Sequence, residues 1–122
     1  MKKNLLVLPL CAVIGTALAL SGHSLVGSWK AAYGNGVGGR VVFRNNGTLL
    51  ATFNGQTWKV GGQYKVNGSN LSISDSTCGF NYWGRYKMNW YSNDSVNVVV
   101  VEDTCTGRRM NADGSVLVRL KK

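Results

Sequence analysis

Beyond residue 25 the apolar residues recur at every second position. Val41 and Phe43, then Leu49, Ala51 and Phe53, then Trp58 and Val60, alternate with polar or outward neighbours. Tyr64 and Val66, then Leu71 and Ile73, then Tyr86, Met88 and Trp90, continue the pattern. Val96, Val98 and Val100 follow, and Val116, Val118 and Leu120 close the chain. No window sustains the three-and-four spacing of an amphipathic helix. Period-two alternation gives each strand one apolar and one polar side, the pattern of an antiparallel sheet with one wet face.

The punctuation agrees with short strands joined by hairpins. Asn46-Gly47, Asn54-Gly55, Asn67-Gly68 and Asp113-Gly114 lie between alternating runs, and such dipeptides tolerate the positive φ of tight hairpin turns. Gly61-Gly62 reads as a further turn or a strand bend, and Ser92-Asn93-Asp94 as a connection. The expected fold is all-β: an antiparallel up-and-down meander of about eight to ten short strands. Closing such a sheet removes its exposed edges, so a barrel is favoured over a sandwich. Two irregular stretches interrupt it. Residues 33–39 are glycine-rich and read as a loop between the first strands or over the barrel mouth. Residues 75–83 form the second stretch, tied down by Cys78.

The first residues read differently. Lys2 and Lys3 precede an apolar run from Leu5 to Leu20, and Ala17-Leu18-Ala19 supplies the small residues of a cleavage site. Residues 1–19 therefore read as a signal peptide of bacterial type, cut after Ala19 or alternatively after Ser21. An uncleaved anchor and lipidation at Cys11 are the other readings of this segment. Residues 20–26 would form an N-terminal arm, and 27–122 a single barrel domain. The expected location is exported, either periplasmic or secreted.

Export changes how the cysteines and the charge are read. The 122-residue chain has 14 Lys and Arg against five Asp and Glu, a formal +9. Without residues 1–19 it keeps twelve basic and five acidic residues, a charge of +7. The two remaining cysteines, Cys78 and Cys105, most simply pair in an oxidising compartment. A metal site finds little support, because His23 is the single histidine and there is no CxxC.

Catalysis also finds little support. A nucleophile needs a nearby base, and His23 lies in the arm. Glu102 and Asp103 are adjacent, so on a strand they point to opposite faces. Asp94 and Asp113 fall in turns. No glycine loop has the strand–loop–helix context of a phosphate cradle. The chain is read as a non-enzyme with no cofactor.

Binding is the better class. Trp58, Tyr64, Tyr86, Met88 and Trp90 share the inward phase, where they either fill the interior or line a small pocket for an apolar or amphipathic ligand. Arg40, Arg44, Lys59, Lys65, Arg85 and Lys87 share the outward phase. They form either a solvated face or a belt for an anionic envelope component. Nucleic acid is set aside, since export removes the chain from it. Asp103 and Arg108 are expected to pair beside the disulfide and fix the turn around Gly107. A monomer is expected.

Certain residues carry a resemblance. Gly27-Ser28-Trp29 opens the first strand and Arg119 lies in the last. Gly84-Arg85-Tyr86, a β run, and Glu102-Asp103-Thr104-Cys105-Thr106-Gly107-Arg108 follow in order. In these features residues 26–122 resemble the small exported lipocalin-like (calycin-type) domains of bacteria, whose function is unassigned. The resemblance implies a β-barrel in which Arg119 stacks on Trp29. It also admits a second function. Some periplasmic protease inhibitors are small barrels of this form that insert an N-terminal arm into a secreted protease, and the candidate arm here is Leu20 to Leu25.

Overall fold

The computed structural model describes residues 23–121. The expected signal peptide, both cleavage positions and residues 20–22 of the arm lie outside the described residues. Eight strands are present: β1 (Gly27–Ala32), β2 (Gly38–Phe43), β3 (Thr48–Phe53), β4 (Lys59–Asn67), β5 (Asn70–Asp75), β6 (Gly84–Ser92), β7 (Ser95–Glu102) and β8 (Ser115–Arg119). Each pairs antiparallel with the next, and β8 returns to β1 through Trp29 opposite Arg119 and Ala31 opposite Leu117. The sheet is thus a closed barrel with strands in sequence order.

Inward-facing residues fill the barrel as the alternation implies. Val41, Phe43, Leu49, Ala51, Phe53, Leu71, Tyr86, Met88, Val96 and Val98 are all buried. The four Asn-Gly and Asp-Gly pairs are turns, with positive φ at Gly47, Gly55, Gly68 and Gly114.

Several details differ from the sequence pattern, each for a physical reason. Gly61 and Gly62 are inside β4 rather than at a turn, and Gly62 sits opposite Asp75 where a side chain would strike the β5 backbone. Trp58 belongs to the β3–β4 loop, half exposed, with its indole N–H donated to Gln56. In β8 the inward residues are Ser115, Leu117 and Arg119, not Val116, Val118 and Leu120. Three consecutive apolar residues carry no phase of their own, so pairing with β1 decides it. Finally, a helix α1 (Thr106–Ala112) stands between β7 and β8. Gly107 is therefore helical rather than in a turn, and Asp113-Gly114 joins a helix to a strand.

One end of the barrel is closed by the N-terminal segment. Trp29 is fully buried and its indole N–H donates to the Leu25 carbonyl at 2.8 Å. The Arg119 guanidinium lies over the Trp29 ring, 4.2 Å from its centroid. From there it donates to the carbonyls of Ser24, Val26 and Asn93 and to the Asp94 carboxylate. Gly27 has φ +134°, and a Cβ there would crowd Arg119. The Gly-x-Trp opening is thus a backbone vacancy, an indole and the cation that joins them. His23 stacks on Trp90 with ring centroids 4.6 Å apart, extending the same plug.

Arg119→Ala is expected to lower the urea-unfolding free energy by about 2 kcal/mol, the upper part of the range for a desolvated cation–π contact. Arg119→Lys should recover only part of it, because a lysine cannot reach three carbonyls in a planar fork. An unchanged urea midpoint in both variants would contradict the role assigned to Arg119.

Candidate functional site

The opposite end carries the long connections: residues 33–37, 54–58, 76–83, and the segment from Asp103 to Gly114 that contains α1. The interior at this end is incompletely filled. A cavity of about 80 Å³ is lined by Val41, Phe43, Leu49, Ala51, Phe53 and further apolar side chains of the barrel wall. Its polar lining comes from Asp75, Thr77, Arg108, Asn111 and Ser115. The volume falls below the roughly 300–1,000 Å³ of pockets that enclose drug-sized ligands. It suits a group of a few carbon atoms.

Helix α1 forms one side of the cavity. Arg108, Asn111 and Ala112 face it, the i, i+3, i+4 stripe that one side of a helix presents. Met110 on another side is exposed. Two of the three residues in this inward stripe are polar, which blurs the usual signal.

A polar network fixes α1 in place. Asp103 lies just after β7 and its side chain is completely buried. It receives the Arg108 Nε–H at 2.7 Å and an Nη2–H at 2.8 Å, a two-pronged ion pair. The Tyr86 hydroxyl donates to the same carboxylate, and the Cys105 amide donates to it at 2.9 Å. Arg108 Nη2 also donates to the Tyr82 carbonyl at 2.8 Å, and Nη1 faces Asp75 at 3.4 Å. Gly84 leaves the space the Asp103 carboxylate occupies, since a Cβ there would overlap it. The two sequence strings, Gly-x-Tyr and Asp-x-Cys-x-Gly-Arg, therefore converge on one carboxylate. Beside it Cys78 and Cys105 form a disulfide spanning 27 positions. Closing a loop of that length is worth about 3.5 kcal/mol by chain entropy. The bridge ties α1 to the β5–β6 loop, which the Ser74 hydroxyl also holds through the Phe80 carbonyl.

Burial and hydrogen bonding set the protonation states. Burial alone would raise the Asp103 carboxyl, but hydrogen bonds from Arg108, Tyr86 and the Cys105 amide together hold it below its ordinary value. Desolvation pushes the Tyr86 hydroxyl up, and its bond to Asp103 pushes the same way. Burial raises Tyr33 to about 12, and its hydroxyl donates to the Thr52 carbonyl at 2.9 Å. Tyr33 stacks on Phe53, and Phe53 meets Trp58 with centroids 4.8 Å apart.

The residues expected to contact ligand are spread around the barrel. Tyr86 is fully buried and engaged with Asp103. Met88 is buried in the core. Tyr64 packs on Phe43 and donates to the Arg44 carbonyl, and Trp90 sits against Trp29 at the closed end. None of these four, nor Trp58, lines the cavity. The six basic residues are all exposed. Arg85 pairs with Glu102 at 2.6 Å and Lys65 covers the Trp83 ring. Arg40 and Lys59 flank Thr52 across β2, β3 and β4. The Asp103–Arg108 pair is present as expected. Asp75 was missed, although it continues the inward phase of Leu71 and Ile73. A carboxylate in an apolar phase was the signal that could have found it.

No family model matches the chain, and no curated protein matches it in sequence. Among solved structures, it is similar to the crystal structure of Treponema pallidum Tp0751 (Pallilysin). The TM-score is 0.57 at 13% identity, over 92% of this chain and 96% of that one. At that identity the likeness is one of fold.

The lowered Asp103 carboxyl ties stability to acid. The native chain binds this proton more weakly than the unfolded chain, whose Asp titrates near 3.9. Its contribution is therefore complete above that pH and drains away as pH falls through the native value. In a carbon-13 titration of the folded protein, the Asp103 carboxyl should titrate below the ordinary Asp value of about 3.9. A midpoint at or above the ordinary value would contradict the network.

Proposed function

We propose that this protein is an exported, non-catalytic, lipocalin-like binding protein whose barrel interior takes a small apolar or amphipathic molecule. The observation that carries the reading is the cavity, a space of about 80 Å³ walled by aliphatic and aromatic side chains. The apolar part of such a wall accepts an apolar guest, because the guest restores the contacts that the wall lacks, while the polar end can hold a head group. The disulfide fits an oxidising compartment, and the Gly-x-Trp and Asp-x-Cys-x-Gly-Arg strings support the lipocalin-like assignment. The ligand contacts are reassigned to the cavity walls, with Val41, Leu49, Ala51 and Phe53 ahead of the residues singled out by sequence.

The inhibitor alternative needs an arm free to leave the barrel. Ser24 and Val26 are held by Arg119, Leu25 is buried, and His23 is stacked on Trp90. These contacts favour the interior-ligand reading. The outer basic residues remain available for an anionic envelope component, but no specific contact among them favours that reading over solvation.

Xenon is the simplest probe of the apolar part of this cavity. Saturation with xenon should shift the methyl resonances of Leu49, Leu71 and Leu117 while leaving Val118, on the outer face, unmoved. Ala51→Leu adds three carbons to the cavity wall and should abolish those shifts without lowering the melting temperature. Equal shifts in the variant, or none in the native protein, would overturn the proposal.

A further inference from the structure

The polar side of the cavity has a sign. Asp75 stands at the end of β5 with its side chain only 7% exposed, and it lines the cavity. Its Oδ1 accepts the Thr77 amide at 3.0 Å and faces Arg108 Nη1 at 3.4 Å. Among the described residues no donor reaches its Oδ2. Among the described residues no fully buried side-chain oxygen lacks a partner, so Oδ2 is the part of this carboxylate still open to a small donor.

Arg108 is the other ionised group on that wall, and it is already committed. Its Nε and Nη2 hold Asp103, Nη2 also holds the Tyr82 carbonyl, and Nη1 is turned to Asp75. Two carboxylates against one guanidinium leave the cluster at −1. Arg108 and Asp75 both line the cavity, and the Nη1 of Arg108 is turned to the carboxylate rather than left for an anionic guest. The excess positive charge of the chain does not reverse this, because the six belt residues are exposed on the outer wall, where water and salt screen them. The Thr77 hydroxyl, at the exposed end of the same wall, offers a second acceptor and keeps a polar head partly wetted.

We infer that the cavity selects a small amine: a short apolar body within the barrel and an ammonium group donating to the free Oδ2 of Asp75. This rests on the interior-binding reading above and names the ligand class for it. The ammonium loses part of its hydration on entry, and a charge-assisted bond to a buried carboxylate offsets that loss. A neutral alcohol of the same shape makes only a weaker bond, and a carboxylate of the same shape is repelled.

The test compares n-butylamine, 1-butanol and butyrate at neutral pH, each titrated against the full folded protein and followed by the Leu49 and Leu71 methyl shifts. The expected result is an apparent affinity for the ammonium at least tenfold above that of the alcohol, with butyrate weaker still. Asp75→Asn should bring the ammonium down to the level of the alcohol. Butanol or butyrate binding as tightly as the amine would overturn the inference. So would an amine preference that survives in Asp75→Asn. If Asp75→Asn does not fold, the order of the three probes on the native protein still decides. Failure of all three while xenon still shifts the methyls would also overturn it, leaving the apolar cavity intact. Failure of xenon as well would remove the underlying reading.

Discussion

The ion pair between Arg108 and Asp103 holds the loop-bearing end of this barrel together. A helix of seven residues has too few internal hydrogen bonds to persist alone, and the residue α1 buries most deeply is an arginine. Its apolar contribution to the barrel is small. What fixes it is a guanidinium inserted beneath the loops, against a carboxylate that three elements reach: β6 through Tyr86, the end of β7 through Asp103 itself, and the Cys105 amide at the helix start. Removing one partner of such a buried pair leaves an uncompensated charge and costs about 3–5 kcal/mol. That is a large share of the stability of a domain this small.

The two ends of the barrel are closed by different uses of the same residue type. At one end Arg119 lies on the buried Trp29 indole and satisfies carbonyls of the N-terminal segment. At the other end Arg108 is matched to carboxylates. The interior beside this polar cap keeps the cavity. The cavity takes its polar lining from this cap and extends along the apolar wall as far as Phe43 and Leu49. The disulfide contributes on the same side, limiting how far the β5–β6 loop and α1 can separate in the unfolded chain.

Alternation and turn dipeptides were enough to read β2, β3, β6 and β7 and to expect closure of the sheet. Where the chain offered no alternation, the reading failed. Val116-Leu117-Val118 is apolar at every position, so its phase came from the hydrogen bonds to β1. Trp58 matched the phase of Val60, yet Asn54-Gly55 needs several following residues to turn, and the indole was left in the loop. Helix α1 was invisible because its inward stripe is Arg108, Asn111 and Ala112. The aromatic residues looked like a ligand site because size and phase are legible in a sequence. Which of them the neighbours fill completely is not, since that depends on how eight strands meet. Asp75 was legible in principle, as a charge continuing an apolar phase.

Native-state hydrogen exchange at Cys105 and Arg109 measures the central interaction most directly. The Cys105 amide donates to Asp103 and the Arg109 amide to the Cys105 carbonyl, so both are released only when the helix leaves the ion pair. If the Arg108–Asp103 pair fastens α1 to the barrel, these amides will exchange with the same opening free energy as the slowest amides of β6 and β7. Fast exchange at both positions, while β6 and β7 stay protected, would mean that the helix opens by itself and that the ion pair does not hold this end of the barrel.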